Sequence, residues 1–250
     1  MIKFITMMKR KEGCRPEEFN QYWYEKHTPL ARKVIPKEMA PKKYVHDYAV
    51  AFAEGWVPAF DGIEWLCFDN VQGLIRWNDW FMSEEAEILH EDELRFVDPA
   101  TRVTMVVEEK VIIPERKGAG EEGVEGKGTN VVLKLMAMLK RKEGMSPEQF
   151  GKHWYEDHGP MAARVIPDTV RIRRYVQNHA LRLKEDQEPC FDGLVEFCLE
   201  GMGSLDAWMA FYASEEGKII RDDEVRFIDM SKMIVLLLEE RVIPQMAWET

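Results

Sequence analysis

The second half of the chain alternates between strand-like and helix-like hydrophobic spacing. Residues 131–139 alternate as a strand, and Ser146-Pro147-Glu148-Gln149 then provides a capping box that starts a helix. Phe150, Trp154 and His158 recur every four residues after that start, so we expect them to share one buried stripe. The segment therefore predicts a strand followed by an amphipathic helix.

The remainder of that half completes a β-α-β-β-α-β order. Further strands are predicted at residues 174–183, 193–200 and 233–242, and a second helix is predicted to begin at Ser204 and to bury Trp208. This order is the ferredoxin-like arrangement, in which a four-stranded antiparallel sheet carries both helices on one face. The predicted fold class is α+β.

The same pattern is written twice in the chain. Residues 8–36 and 139–167 share 17 identities in 29 positions at a constant offset of 131 residues. Between the copies, residues 115–129 are rich in glycine and charge, which predicts a flexible linker. We therefore expect one repeat at residues 1–114 and a second repeat at residues 130–250.

The predicted strands are apolar on both faces. In the last strand Ile234, Leu236 and Leu238 point to one side, and the residues between them, which are also apolar, point to the other. The helices of a repeat cover only one of these faces, so we expect the other repeat to cover the second. The sequence predicts an intramolecular pseudo-dimeric α/β barrel with its helices outside.

Several segments of the second repeat resemble the EthD-like family of dimeric α/β-barrel proteins. They are Lys140-Arg141, the helix with Phe150, Trp154, His158 and Pro160, Tyr175-Val176-Gln177-Asn178, and Phe191-Asp192-Gly193. The resemblance implies a small-molecule pocket between sheet and helices, with no metal and no organic cofactor. Family members include proteins tied to ether degradation and fungal enzymes described as dehydratases or decarboxylases. Wider relatives include isomerases, cyclases and cofactor-free monooxygenases, so the fold alone selects no reaction.

The net charge, the length of the apolar runs and the cysteine spacing limit which partners and which cellular location we expect. The formal net charge of −11 argues against DNA, RNA or anionic lipid as partners. No apolar run reaches the ~18 residues that a membrane span needs. The four cysteines form no CxxC pair, and residues 1–8 lack the order of a signal peptide. We expect a cytoplasmic protein, either a monomeric pseudo-dimer or a homodimer.

Three residues are candidate catalytic groups. His158 and His27 lie on the apolar stripes of equivalent helices, where an imidazole can act as acid or base in a dry pocket. The alternative is a structural hydrogen bond at the end of the helix. Glu196 lies in an otherwise apolar strand, where it is either a base or orienting group, or the partner of a buried arginine.

A further set of residues is predicted to bind the substrate. The set comprises Asn178, His179, Tyr175, Trp154, Met136, Met138 and Trp208. Tyr175 and His179 point to the opposite strand face from Asn178, so only one group can share a pocket under the helices, and Asn178 is favoured. The aromatic and methionine side chains either line that pocket or simply fill the core.

Two other patterns are assigned no chemistry. His153 and His158 are five residues apart, which places them about 140° apart on an α-helix and prevents chelation of one metal ion. The acidic runs at residues 91–93 and 222–224 are expected to be solvated helix faces.

The sequence favours a cofactor-independent lyase or isomerase that acts on a hydrophobic aromatic or polyketide-like carbonyl compound, as in aromatic compound catabolism. In this hypothesis His158 moves a proton, Glu196 positions it and Asn178 polarises the carbonyl. Dehydration, decarboxylation and a proton shift all fit. Two alternatives stay open: a non-catalytic binding protein for a hydrophobic metabolite, and a cofactor-free monooxygenase.

The two repeats are expected to differ in their chemistry. The first repeat has His46-Asp47 where the second has Gln177-Asn178, and Trp65 where the second has Glu196. The second repeat is closer to the family pattern, so we expect it to carry the reaction.

Overall fold

The computed structural model divides the chain into two compact units. It describes residues 1–52, 55–116, 132–182 and 188–244. One unit comprises Met1–Val106 with Arg241–Thr250, and the other comprises Val107–Glu240. Residues 117–129 of the predicted linker lie outside the described residues, so the predicted repeat boundaries at residues 1–114 and 130–250 stay predictions.

The first unit contains antiparallel strands with two pairs of helices in the connections between them. Its strands are β1 (Ile2–Arg10), β2 (Lys43–Val50), β3 (Gly62–Phe68) and the first part of β4 (Val97–Ile113). Its helices are α1 (Pro16–Tyr22), α2 (Thr28–Val34), α3 (Val71–Phe81) and α4 (Glu87–Glu93). Strand β3 pairs with both β1 and β2 in antiparallel fashion.

The second unit repeats this order. Its strands are the end of β4, β5 (Val132–Leu139), β6 (Ile172–Ala180), β7 (Gly193–Leu199) and β8 (Ile234–Ile243) as far as Glu240. Its helices are α5 (Pro147–Lys152), α6 (Gly159–Val165), α7 (Met202–Ala213) and α8 (Lys218–Phe227). Strand β7 lies between β5 and β6, β5 also pairs with β8, and β6 with β4, all antiparallel.

The eight strands form one closed barrel. Hydrogen-bonded neighbours follow the order β1-β3-β2-β8-β5-β7-β6-β4. The predicted α+β class and the predicted barrel are therefore confirmed. In the described residues no helix is long and apolar enough to cross a membrane.

A π-helical turn joins α1 to α2 and another joins α5 to α6. The turns span Trp23–His27 and His153–His158, so each ends at a candidate histidine. In the second turn the Gly159 N–H donates to the Trp154 carbonyl, five residues back. Pro160 follows and has no N–H, which removes one α-helical hydrogen bond at this point. The predicted single helix is therefore three segments with a local change of pitch.

Strand alternation decides which side chains lie under the helices. Gln177 Nε2 donates to the carbonyl of Trp154, so the odd-numbered residues of β6 face the helical segments. Val176 lies opposite Glu196, and Glu196 lies opposite Met136 across the ladder, so these three share the other face. The two faces of the second unit thus carry different polar residues.

The motif residues around Phe191-Asp192-Gly193 have a structural role. Asp192 forms an ion pair with Arg141 and also accepts a hydrogen bond of 2.8 Å from the Arg141 backbone N–H. A Cβ atom at Gly193 would overlap the ring of Trp154. Glycine at this position therefore lets the helical segment approach the sheet closely.

Candidate acid–base site

His158 lies at the end of its π-helical turn, buried in the second unit. Its Nδ1 atom is 2.9 Å from Oδ2 of Asp223 on α8, and its ring packs against Phe227. Burial lowers the pKa of His158, and the neighbouring Asp223 carboxylate partly offsets this effect. The imidazole is therefore neutral at pH 7 and suited to accept a proton.

Asp223 also binds a second imidazole. Its two carboxylate oxygens lie 3.1 and 3.2 Å from Nε2 of His153, whose Nδ1 is 3.3 Å from Asp157. The prediction that His153 and His158 point about 140° apart is wrong, because π-helical geometry brings residues five apart close to alignment. In the described part of the chain no three histidine, cysteine or acidic side chains form a metal-binding group.

The acidic run at residues 222–224 was expected to be a solvated helix face. This is wrong for Asp223 and Glu224, and only Asp222 is exposed. Asp223 meets both imidazoles, and Glu224 accepts a 2.5 Å hydrogen bond from the Tyr212 hydroxyl. Burial raises the pKa of Glu224 to about 7. The signal was present in the sequence, because residues 223 and 224 lie three or four positions from the buried Ile220 and Phe227.

A cluster of neutral polar side chains on β6 contacts the second π-helical turn at Trp154. Gln177 Nε2 donates to the Trp154 carbonyl at 2.8 Å and to the Tyr175 hydroxyl at 3.1 Å, while its Oε1 is 3.1 Å from His179 Nε2. Burial lowers the pKa of His179 to about 3 and raises the pKa of Tyr175. These side chains therefore supply uncharged donors and acceptors at neutral pH.

A series of aromatic contacts continues from these polar side chains along the sheet. The Trp154 ring lies 4.5 Å from His179, measured between ring centroids. Tyr175 packs on Phe197 at 4.6 Å, and Phe197 packs on Trp208 at 4.9 Å. The helix-covered face thus holds five of the predicted site residues: His158, Trp154, Tyr175, His179 and Trp208.

Glu196 and Asn178 lie on the other face of the sheet. Lys134 Nζ is 2.8 Å from Glu196 and 2.7 Å from Glu240, and Asn178 Nδ2 donates to Glu196 at 2.6 Å. Glu196 therefore pairs with Lys134 and also interacts electrostatically with the Arg174 guanidinium. Met136, opposite Glu196, and Met138, opposite Leu194, are fully buried on this same face.

The predicted trio of His158, Glu196 and Asn178 is consequently not assembled. The expectation that Asn178 is the β6 residue under the helices is wrong, because strand alternation places Tyr175, Gln177 and His179 there. The residues that sequence reasoning missed are Asp223, Glu224 and Gln177.

An open cleft of about 760 Å³ reaches this site from outside. It runs between the second π-helical turn and α8, with His153 and Asp223 among its lining residues. Asp223 therefore both lines the cleft and holds His158.

The first unit contains an equivalent histidine–aspartate pair, but its aspartate has a tyrosine as the second hydrogen-bond partner. His27 Nδ1 is 2.9 Å from Oδ2 of Asp92, and the Tyr22 hydroxyl donates to Oδ1 of Asp92 at 2.7 Å. Tyr22 thus takes the place of His153. The next residue, Glu93, forms an ion pair with Arg102, so this acidic run is not a solvated face either.

Further ionisable groups are buried near this pair in the first unit. His46 stacks on Trp23 with ring centroids 3.9 Å apart, and its Nδ1 is 3.0 Å from the Tyr48 hydroxyl. The Tyr44 hydroxyl donates to Glu64 at 2.8 Å. Burial raises the pKa of Glu64 and lowers the pKa of His46. Valine and glutamine occupy these two positions in the second repeat, so the two sites differ chemically.

Comparison with solved structures finds the same fold in remote relatives. An anthrone oxidase-like protein aligns with a TM-score of 0.58 at 10% identity, covering 96% of this chain and 92% of that one. A candidate monooxygenase from Lactobacillus acidophilus NCFM aligns with a TM-score of 0.53 at 14% identity, covering 98% and 96%. Another from Fusobacterium nucleatum gives 0.51 at 7% identity, covering 98% and 94%. At these identities the likeness concerns the fold alone.

Sequence comparison identifies the family. No curated protein sequence matches the chain. The EthD domain profile matches twice, over residues 11–100 and 142–231, which together make up more than half of the sequence. Each match contains one of the π-helical turns and its histidine–aspartate pair. The chain is therefore a tandem-repeat member of the EthD domain family.

Proposed function

We propose that this protein is a cofactor-independent lyase or isomerase that acts on a hydrophobic aromatic or polyketide-like carbonyl compound. The observation that supports this most is the buried, neutral His158 held at Nδ1 by Asp223. An N–H at Nδ1 that donates to the carboxylate leaves the lone pair on Nε2, which makes Nε2 the basic atom.

In this proposal His158 removes a proton from a carbon next to the carbonyl group. The enolate that forms is stabilised by the uncharged Tyr175 hydroxyl, which Gln177 orients by donating a hydrogen bond to it. Glu224 exists in both protonation states near pH 7 and can return a proton to product or leaving group. The enolate then either expels a β-hydroxyl group, which leaves as water after it is protonated, or takes a proton back at another carbon. In a decarboxylation the enolate forms by loss of carbon dioxide, and His158 removes no proton from carbon.

Glu196 and Asn178 take no part in the reaction in this version of the proposal. On the opposite sheet face Glu196 pairs with Lys134 and accepts a hydrogen bond from Asn178 Nδ2. We assign them to the buried charge network that keeps this face ordered.

The larger organisation is proposed from the sequence pattern. We infer that the two ferredoxin-like repeats act as an intramolecular pseudo-dimer, because their strands are apolar on both faces. The proposed protein is cytoplasmic and works as this pseudo-dimer or as a homodimer of it, with the chemistry in the second repeat.

The test is turnover of a panel of hydroxylated aromatic ketones, followed by mass spectrometry of the products. For any substrate found, His158→Asn is expected to lower kcat/KM by about 10²- to 10⁴-fold, as loss of a general base does. His90→Asn makes the same change on α4 of the first unit, outside the site, and serves as the control. Full activity in a folded His158→Asn protein contradicts the proposal, and His27→Asn tells whether the first repeat also reacts.

Oxygenation is the second candidate, since two fold relatives are described as monooxygenases and one as anthrone oxidase-like. The same base would deprotonate an electron-rich aromatic substrate, which then reacts with molecular oxygen. Turnover with and without air separates the two, because only the oxygenase consumes oxygen. Saturable binding of a ketone without any product identifies the non-catalytic alternative.

A further inference from the structure

We propose that His153 is a positioning residue that sets the proton affinity of His158 through their shared carboxylate, Asp223. The kinetic part of this inference rests on the proposed function, whereas its titration part does not.

The geometry gives one carboxylate two imidazole partners. Asp223 Oδ2 is 2.9 Å from Nδ1 of His158, and both oxygens lie within 3.2 Å of Nε2 of His153. A positive charge on His153 draws on the same negative charge that stabilises the imidazolium form of His158. Protonation of His153 therefore lowers the proton affinity of His158, and its loss raises it.

The two imidazoles also differ in their access to water. His153 is 21% exposed and lines the open cleft, whereas His158 is 7% exposed. The cleft that His153 lines is also lined by six charged residues from the π-helical turn, from α8 and from the segment before α8: Asp157, Glu215, Lys218, Asp222, Asp223 and Arg226. His153 is therefore the water-accessible imidazole of the pair, and His158 is the buried one.

The first repeat shows the same arrangement without the titrating partner. Tyr22 donates to Asp92 where His153 meets Asp223, and Lys26 replaces Asp157. Burial and the hydrogen bond to Asp92 raise the pKa of Tyr22, so this phenol stays neutral at physiological pH. A tyrosine thus supplies the hydrogen bond alone, and a histidine supplies the hydrogen bond together with a charge.

The experiment replaces His153 by the residue of the first repeat. In His153→Tyr the pKa of His158, followed by imidazole NMR of the substrate-free protein, is expected to be higher than in the wild type. A base with a higher pKa stays protonated to higher pH, so the acidic limb of the kcat/KM profile is expected to move to higher pH by the same amount.

His153→Gln is the matched second variant, because it removes the same charge with a different shape. Both variants are expected to shift the His158 titration in the same direction, which a purely structural role of His153 does not produce. An unchanged His158 titration in the folded variants overturns the inference. Full activity of His158→Asn instead refutes the proposed function and leaves the titration result standing.

Discussion

Glu224 shows how partial burial, helped by the neighbouring Asp223 carboxylate, changes the chemistry of one carboxyl group. It belongs to an acidic run that was expected to face solvent, yet it is half-buried, accepts a hydrogen bond from Tyr212 and has a pKa of about 7. The sequence predicts that His27 and His158 are buried but does not predict their acidic partners, because those lie 65 residues further along the chain. Only the spacing relative to Ile220 and Phe227 carried this information.

A raised carboxyl pKa predicts a specific dependence of stability on pH. Glu224 prefers its protonated form in the folded state, so the fold is favoured below the ordinary pKa of 4.5 and loses this contribution as pH rises through about 7. Glu224→Gln keeps a neutral group at every pH. Between pH 5 and pH 8 the wild type is expected to lose about 2 kcal/mol of unfolding free energy relative to this variant.

Urea unfolding at the two pH values measures this difference. Glu215→Gln, which changes a carboxyl group on the rim of the cleft, is the control and is expected to follow the wild type. Parallel pH curves for wild type and Glu224→Gln contradict the prediction.

The two π-helical turns are the elements that sequence periodicity did not anticipate. A spacing of four residues correctly placed Phe150, Trp154 and His158 on the buried side, since all three are buried. The same periodicity placed His153 elsewhere, because it assumes 3.6 residues per turn throughout. The order of strands and helices was predictable from alternation and capping residues, whereas a local change of helical pitch leaves no comparable pattern.

Close packing of such a turn on the sheet makes Gly193 sensitive to any side chain. Gly193→Ala adds a methyl group that overlaps the Trp154 ring, and overpacking of this kind costs about 1–3 kcal/mol. Gly203→Ala in α7 is the matched control, because an added Cβ there meets no atom within 4 Å. Denaturant unfolding is expected to show a loss for the first variant and no loss for the second. Equal stability of both variants contradicts this account.

At the scale of the whole molecule, two long strands link the repeats. The end of β4, which follows from the first repeat, pairs with β6 over Val107–Ile113. Strand β8 pairs with β5 up to Glu240 and continues to Ile243. The barrel was predictable because both faces of the strands are apolar, whereas the strand order follows from pairings between residues far apart in sequence.

This pairing predicts the result of cutting the chain between its repeats. With a protease site inserted between Gly123 and Val124, the cleaved protein is expected to run as one particle of about 29 kDa in size-exclusion chromatography. The residues of β4 that precede the cut remain hydrogen-bonded to β6. Gel electrophoresis under denaturing conditions confirms cleavage, and separation of two folded fragments in native buffer contradicts the prediction.

The first repeat joins Trp65 to Asp47 by a 2.6 Å hydrogen bond, and the second joins Asn178 to Glu196 at the equivalent positions with the carboxylate on the partner strand. Such an exchange is open to a tandem gene but not to a symmetric homodimer, in which every mutation is inherited by both copies at once. Fusion therefore removes the symmetry constraint on evolution, and the residues of one repeat can change while the equivalent residues of the other repeat stay the same.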